Sequence, residues 1–495
     1  MTTTVLDMSR RFLSHSSYRI YTSSGFHMTT NTNTSAGSQE NVSSASASAP
    51  QGENISLLEK IGYGCGDLAS NFIWQAMSIF IVYYYTDVIG IAAGVIGSIM
   101  LFSRVFDGVS DVAMGYVIDK TTSRHGKARP WLLWLAVPFA ISAVLLFAVP
   151  DIDPFWQVVY IAVTYNVVCL VYTGLNVPYG TMNSLITQDQ YQRSLLNVFR
   201  MSLALAGVLL VSNLTLPVAT LFGGGQFGWV LTFMIFGSVG TALFIFTFKT
   251  TKERVQPASQ ARRDKKVSLR ESLMTLSKNR YWALATAFIL MTYIFNALNS
   301  GAVVFYAEYI LDNTWMVGIV TTAYIAFILL GMVVVAPITK RFGKRNAIIV
   351  GEVITIFGYL IMLIDLTNVT LIIAGTIIRG IGKAPINGSM FAMLGDTVEY
   401  GEWKTGIRNE GMVYSGGSMG IKVGTGLGTA LIGWILAFGG YVGGGGAQTA
   451  EALFAIQALF IYLPLAICVL IIVLMLFYDL DKRYPKIIQD LNARA

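Results

Sequence analysis

From about residue 60 the sequence is a succession of apolar runs separated by short polar loops, each run about 20 residues long. That is the length an α-helix needs to cross the hydrocarbon of a bilayer, where a chain must satisfy its own backbone hydrogen bonds. Twelve such runs can be read, at about 64–88, 92–118, 131–149, 156–184, 199–222, 228–248, 281–310, 316–337, 346–366, 370–394, 412–438 and 453–478. The chain has 495 residues, 54% of them hydrophobic and only 12% charged. A soluble domain carries about 25% charged residues, so there is too little charge here to build several water-facing surfaces. The fold class expected is an all-α membrane protein of twelve transmembrane helices, embedded in a lipid bilayer. A cytosolic enzyme, a secreted disulfide scaffold and a disordered chain are excluded together.

The charges sort by loop. Lys120, Arg124, Lys127 and Arg129 follow the second run, and Lys340, Arg341, Lys344 and Arg345 follow the eighth. The only long internal loop, about 249–280, carries eight more bases between Lys249 and Arg270, among them Arg262, Arg263, Lys265 and Lys266. Loops on the opposite side hold Asp87, Asp151, Asp153, Asp312, Asp365 and Glu451, with no Lys or Arg. The positive-inside rule places both termini and the long loop in the cytoplasm, in a multi-pass protein of the cell membrane. The same rule explains the net charge of +7 without nucleic acid as a partner.

Residues 1–53 are rich in Ser, Thr, Asn and Ala, and a disordered tail is expected there. No apolar core of a secretory signal is present in it, and Met28 is a candidate start of translation. The long loop divides the rest into 54–248 and 281–478, with a tail at 479–495. Arg124-His125-Gly126-Lys127 and Arg341-Phe342-Gly343-Lys344-Arg345 fall at matching positions, between the second and third run of each part. This is the mark of two pseudo-symmetric six-helix bundles.

Ionisable residues inside a span cost about 2.5–3.5 kcal/mol each on insertion scales, so each needs a reason. Asp67 lies in the first run, Arg104, Asp107 and Asp111 in the second, Arg200 in the fifth, Arg379 and Lys383 in the tenth, and Lys422 in the eleventh. Arg104, Asp107 and Asp111 share one helical face. Two buried carboxylates side by side require a raised pKa or a cation between them. That suits a proton or Na⁺ site, with Thr173 and Ser110 as further oxygen ligands. The alternative is a static ion cluster of Arg104, Asp107, Asp111 and Lys422 that locks helices together. Trp74, Tyr172, Asn176, Tyr179 and Asn183 add aromatic and amide groups in mid-span. They fit a polyhydroxylated ligand, whose CH faces stack on rings, or interhelical hydrogen bonding.

No Walker loop, HExxH, GxSxG or Cys/His cluster is present, and the chain has three histidines in all. No catalytic residues and no cofactor are expected. Gly62, Gly64 and Gly66, like the glycines between Gly416 and Gly428, are read as sites of close helix contact, the latter giving the eleventh helix a smooth face for sliding. Cys65, Cys169 and Cys468 sit in apolar runs and are read as packing residues.

At these residues the chain resembles the glycoside–pentoside–hexuronide:cation symporters. The likeness is carried by Lys60-Ile-Gly-Tyr-Gly-Cys-Gly-Asp67, by Arg104-Val-Phe-Asp107-Gly-Val-Ser-Asp111 and by Arg124-His-Gly-Lys127-Ala-Arg129-Pro130-Trp131. It continues through Asp396-Thr-Val-Glu-Tyr-Gly-Glu402-Trp-Lys404, Arg408 and Glu410 to Lys422, and covers about 55–490. The resemblance implies the major facilitator fold, alternating access, and symport of a sugar with H⁺ or Na⁺; a monomer is expected. It implies that Asp107 and Asp111 are cation-site acids (the ligands of Na⁺ if Na⁺ is used), with Thr173 as a further ligand and Lys422 neutralising the pair. Asp67, Trp74, Tyr172, Asn176 and Arg200 then stand at sugar-contacting positions. Asn176 replaces an acidic sugar ligand of the family's best-known member, Gly180 replaces a tryptophan platform, and Ser110 an amide beside the cation acids. These departures leave the sugar and the cation open. A carrier of the same fold for a lysolipid or an organic anion, and an uncoupled sugar uniporter, are the alternative readings.

Overall fold

The structure is a computed structural model and describes residues 55–121, 123–255, 274, 276–407, 409–444 and 446–494. The tail 1–53, with Met28, and the middle of the 249–280 loop lie outside the described residues, as does Arg408.

Every regular element among the described residues is helical. Helix α1 is Leu57–Tyr83, continued by a π-helical turn, Tyr84–Val88. There follow α2 Ala93–Lys120, α3 Arg129–Phe147, α4 Pro154–Ile186, α5 Gln190–Leu221 and α6 Gln226–Thr250. The second set is α7 Arg280–Tyr309, α8 Met316–Phe342, α9 Lys344–Met362, α10 Val369–Thr405 and α11 Glu410–Phe438. Helix α12 starts at Ala450–Gln457, passes a π-helical turn, Ala458–Tyr462, and continues as Leu463–Leu476; α13, Leu480–Arg494, closes the chain. Among the described residues, 11 helical stretches are long and apolar enough to cross a membrane. The other long helix is α2, diluted by Arg104, Asp107, Asp111, Asp119 and Lys120.

The helices start where side-chain oxygens cap free backbone N–H groups. Asp153 accepts from Phe155 N at 3.0 Å, Asp189 from Gln192 N at 2.7 Å, and Asn279 from Trp282 N at 3.0 Å. Several elements overrun their apolar cores. Helix α1 begins at Leu57 rather than 64 because Ser56 caps it and Glu59 is held by Arg254, at 2.7 and 2.8 Å. Helix α10 runs to Thr405 rather than 394 and ends on Gly406, whose φ of 73° suits a glycine terminator. Residues 480–494, expected only as a tail, form the amphipathic helix α13, with Leu480 and Ile487 buried and Lys482, Arg483 and Lys486 exposed. Lys249 and Thr250 belong to α6 and Arg280 to α7, so the loop is shorter than read.

Within the first set, α1 packs on α5 and α6, and α3 on α4 and α6; within the second, α9 and α8 pack on α10 and α7 on α11. The α9–α10 seam is a glycine zipper. A methyl group on Gly382 would stand 2.5 Å from Gly351 O, and one on Gly375 2.5 Å from Gly358 O. The sets meet mainly along α2 and α11. There a methyl on Gly433 would stand 2.3 Å from Ala93 O and 2.8 Å from Gly97 Cα. Gly433→Leu is therefore expected to destabilise the protein by about 1–3 kcal/mol through overpacking, read as a lower Tm in detergent. A replacement in the first turn of the same helix, Gly411→Leu, has nothing within 4 Å to meet and serves as control.

The described hydrogen bonds between the sets lie at mid-helix or toward the Asp87 end. Trp434 Nε1 donates to Ser98 Oγ at 3.1 Å, and Asn213 Nδ2 to Thr322 Oγ1 at 2.9 Å. Asp87 accepts from the hydroxyls of Tyr309 and Tyr441, the latter at 2.6 and 2.7 Å.

The basic turns repeat one device. Glu253, just beyond α6, folds back so that its carboxylate accepts from Lys127 N, Ala128 N and Arg129 N at 2.8–2.9 Å, at the N-terminus of α3. Asp481, just beyond α12, accepts from Arg345 N at 2.9 Å, at the N-terminus of α9. In both places a carboxylate meets the positive end of a helix dipole, beside a glycine with positive φ, Gly126 at 106° or Gly343 at 82°.

Candidate functional site

The second-run acids sit midway along α2, where that helix faces α4 and α11. Asp107 is 4% exposed; the Asp111 side chain is 35% exposed and lies one turn nearer the basic-loop end. Thr173 Oγ1 on α4 stands 3.1 Å from Asp107 Oδ1 and 3.0 Å from Asp111 Oδ1. One hydroxyl carries one proton, so it donates to one carboxylate oxygen at a time. The three oxygens thus converge one proton short of full hydrogen bonding, and a proton or a small hard cation meets that shortfall.

Lys422 Nζ reaches in from α11. It lies 2.5 Å from Asp111 Oδ2, 3.3 Å from Asp107 Oδ2 and 2.9 Å from Asp107 O. Three ammonium protons thereby find three acceptors. Arg104 Nη1 lies 3.7 Å from Asp107 Oδ2, and its guanidinium rests on the Trp74 ring at 4.7 Å. Two carboxylates are balanced by two cations, and Lys422 ties the first set of helices to the second. Ser110, read as a possible oxygen ligand, instead donates to Asp107 O at 2.9 Å. No group of three or more His, Cys, Asp or Glu residues suited to a metal occurs among the described residues. The donor set is two carboxylates and a hydroxyl, which suits H⁺ or Na⁺ as cargo rather than a resident metal.

Beside this cluster a cavity of about 180 Å³ lies between the two sets of helices. Trp74 and Arg104 wall it from one set; Asn296, Ser300, Thr425 and Thr429 wall it from the other. Tyr172 stacks behind Trp74 with ring centroids 3.9 Å apart. The wall is aromatic on one side and rich in hydroxyl and amide groups on the other. Thr425 and Thr429 donate to carbonyls of their own helix, at 2.8 and 3.0 Å, which leaves lone pairs to accept from a ligand.

The other positions expected at a sugar stand apart from this cavity. Asp67 pairs with Arg200, Nε to Oδ2 2.8 Å, and Arg200 lies over the Tyr179 ring at 5.0 Å. Tyr179 stacks on Tyr63 at 4.9 Å and donates to Tyr63 O at 2.7 Å. Asn176 is half-buried on α4, one turn of helix from Thr173. Asp67 lies seven residues before Trp74, about 10 Å along α1. The five residues thus form two layers, an aromatic one with Arg104 and an ionic one with Arg200.

Sequence reading did not single out Gln75, Asn296, Ser300, Thr425 or Thr429. A signal existed: Asn296 with Ser300, and Thr425 with Thr429, are polar pairs four residues apart in otherwise apolar runs, and so share a face. Lys422 precedes Thr425 by three and belongs to the same face of α11.

The description "MFS/sugar transport protein" matches residues 62–482. Among curated proteins, the chain is 33% identical to the isoprimeverose transporter of Lactiplantibacillus pentosus, over 88% of this chain and 91% of that one. It is 34% identical to the putative glycoside/cation symporter YagG of Escherichia coli strain K12, over 88% and 95%. The inner membrane symporter YicJ of the same strain is 33% identical over 90% and 96%. Among solved structures, a bacterial homolog of the human lysosomal transporter Spinster superposes with a TM-score of 0.62 at 14% identity, over 88% of this chain and 97% of that one. The nucleoside transporter NupG gives 0.59 at 13% identity, over 85% and 100%. These structures share the fold alone.

Proposed function

The chain belongs to the MFS/sugar transport protein family, and on that footing we propose that it moves a sugar or glycoside together with H⁺ or Na⁺ by alternating access. It is an integral membrane transporter, and its curated relatives are transporters and symporters rather than enzymes. The observation that carries the reading is shared machinery. Arg104 walls the cavity and contacts Asp107, while α11 supplies both Lys422 and the Thr425–Thr429 face.

In this reading Asp107, Asp111 and Thr173 are the cation ligands. Lys422 is a tethered cation that occupies their charge while the site is empty. An arriving H⁺ or Na⁺ competes with its ammonium and loosens the tie between α2 and α11. Sugar in the cavity re-joins the two sets through Trp74, Tyr172 and Arg104 on one side and Asn296, Ser300 and the α11 threonines on the other. The Asp67–Arg200 pair, with Asn176 nearby, receives the sugar nearer the basic-loop end. In the empty carrier the Lys422 tie between α2 and α11 is intact, in the doubly loaded one the sugar replaces it, and only these two forms change face at low cost. The contacts at Asp87, Tyr309 and Tyr441 support a carrier closed at that end.

The same reading has two six-helix bundles, 54–248 and 281–478, joined by the 249–280 segment. It gives twelve spans in the cell membrane of a single-chain carrier, with the basic turns and both termini in the cytoplasm. One charge moving through 100 mV provides about 2.3 kcal/mol, which sustains about fifty-fold accumulation. The test is uptake of labelled mono- and oligosaccharides in energised vesicles, with Na⁺ and pH varied independently. At least one glycoside should accumulate above equilibrium with one cation gradient and fall back when that gradient is collapsed. A plateau indifferent to both gradients means a uniporter, and no sugar uptake at all means another solute.

A further inference from the structure

The cavity between the two sets of helices is walled largely by neutral polar groups. Among its described lining residues Arg104 is the only charged one, and its guanidinium is already engaged by the Trp74 ring and by Asp107. Of the hydroxyls, Ser78 donates to Trp74 O at 2.9 Å, as Thr425 and Thr429 donate within their own helix. Gln75 on α1, and Asn296 and Ser300 on α7, differ from these. They line the same cavity and enter no described hydrogen bond.

Five other asparagines in the spans find protein partners. Asn71 donates to Asp67 O at 2.8 Å, Asn166 to Ala162 O at 2.8 Å and Asn387 to Lys383 O at 3.1 Å. Asn213 donates to Thr322 at 2.9 Å, and Asn299 accepts from Arg379 at 2.8 Å. A carboxamide in a membrane helix ordinarily bonds to its own backbone or to a neighbouring helix, because leaving it unpaired away from bulk water is costly. Gln75 and Asn296 do neither. Both are half-buried, and their donors and acceptors serve what the cavity holds.

Their placement adds to this. Helices α1 and α7 are the first of their sets and pack on one another. Asp87, twelve residues beyond Gln75, accepts from Tyr309, thirteen beyond Asn296. That contact ties the two helices about 18–20 Å from the amides, so in this conformation one ligand can touch both. Each amide offers N–H donors and a carbonyl acceptor, the complement of ring hydroxyls, which both donate and accept.

We propose, on the reading of the chain as a sugar carrier, that Gln75 and Asn296 determine which sugar it accepts. Each amide bonds to a hydroxyl of one uncharged ring held between α1 and α7, with Ser300 beside Asn296. A sugar that lacks either hydroxyl, or presents it as the other epimer, leaves a carboxamide unpaired and is rejected.

The test is exchange of the best-carried sugar and of its monodeoxy analogues by the full chain in vesicles. Wild type should penalise at least two analogues about tenfold or more in KM. Gln75→Met and Asn296→Leu, which keep side-chain volume, should each raise KM for the parent sugar about tenfold and hold the maximal exchange rate within about twofold. Each variant should cease to distinguish the parent from one penalised analogue, a different one in each case, because hydroxyl and amide act as a pair. Analogues carried by wild type as well as the parent overturn the proposal without recourse to variants. So does an unchanged KM in either variant, including one whose maximal rate falls, which marks a structural role. Failure to carry any sugar overturns the transport reading itself, and the proposal with it.

Discussion

Replacing Asp107 by asparagine is expected to reduce sugar accumulation from about fifty-fold at 100 mV to the equilibrium ratio. The side chain keeps its shape and can still accept from the Thr173 hydroxyl, which stands 3.1 Å from Oδ1. What it loses is charge. Arg104 and Lys422 then face Asp111 alone, and the cluster carries one net positive charge, as the wild-type cluster does with a cation bound. The variant imitates the loaded carrier permanently. It should exchange sugar across the membrane and let it run down a gradient, while neither Na⁺ nor a pH gradient drives it uphill. Initial exchange rates and steady-state accumulation, measured in the same vesicles, separate these behaviours. Full accumulation by the variant would remove Asp107 from the coupling machinery and leave the cluster as a structural tie.

Lys383→Met should produce the largest loss of stability, about 3–5 kcal/mol, because it strands the Glu352 carboxylate. Lys383 Nζ lies 2.8 and 2.9 Å from the Glu352 oxygens, with side-chain exposures of 3% and 0%. Phe295 covers the ammonium with its ring centroid at 3.7 Å. Arg379, fully buried one turn away, donates to Asn299 Oδ1 at 2.8 Å and rests on Tyr359 at 4.5 Å. Removing both charges with Glu352→Met and Lys383→Met should recover most of the loss, since apolar residues of similar volume replace a buried pair at little cost. Thermal unfolding of the single and double variants in detergent closes the cycle. A Lys383→Met variant with wild-type Tm would show that water reaches Glu352 during unfolding-relevant motions and that the pair is not sealed.

The contrast between these two clusters marks what could be read from the chain. Helix positions were legible because hydrocarbon thickness sets a length that apolar runs must match. Their ends were not, since Ser56, Glu59 and Gly406 act through capping and ion pairing that hydropathy does not register. Asp107 and Asp111 announced themselves by sharing a face at i and i+4; Thr173 and Lys422 were candidates beside them, and the resemblance implied their roles. Glu352 gave no such notice. It lies 31 residues from Lys383, in a run that was read as plain apolar helix, and only the α9–α10 zipper brings them together. Spacing reveals partners on one helix; partners on two helices need the packing. Asn296 and Ser300 did share a face at i and i+4, but only the packing shows that this face looks onto Trp74 and Arg104, and the same limit merged the Trp74 and Asp67 layers into one group of five.

The carboxylates that return to the α3 and α9 turns bear on how the protein is made. Glu253 leaves the ribosome only after α1 to α6, and Asp481 only after α7 to α12. Each is the last residue its set of helices needs to close the turn between its own second and third members. The first six helices can therefore fasten their basic turn before the next six are complete. A chain severed between 256 and 273 would leave Glu253 with the first fragment and Asp481 with the second. Two such fragments, produced in one cell, each carry their own fastening and need only find one another along α2 and α11.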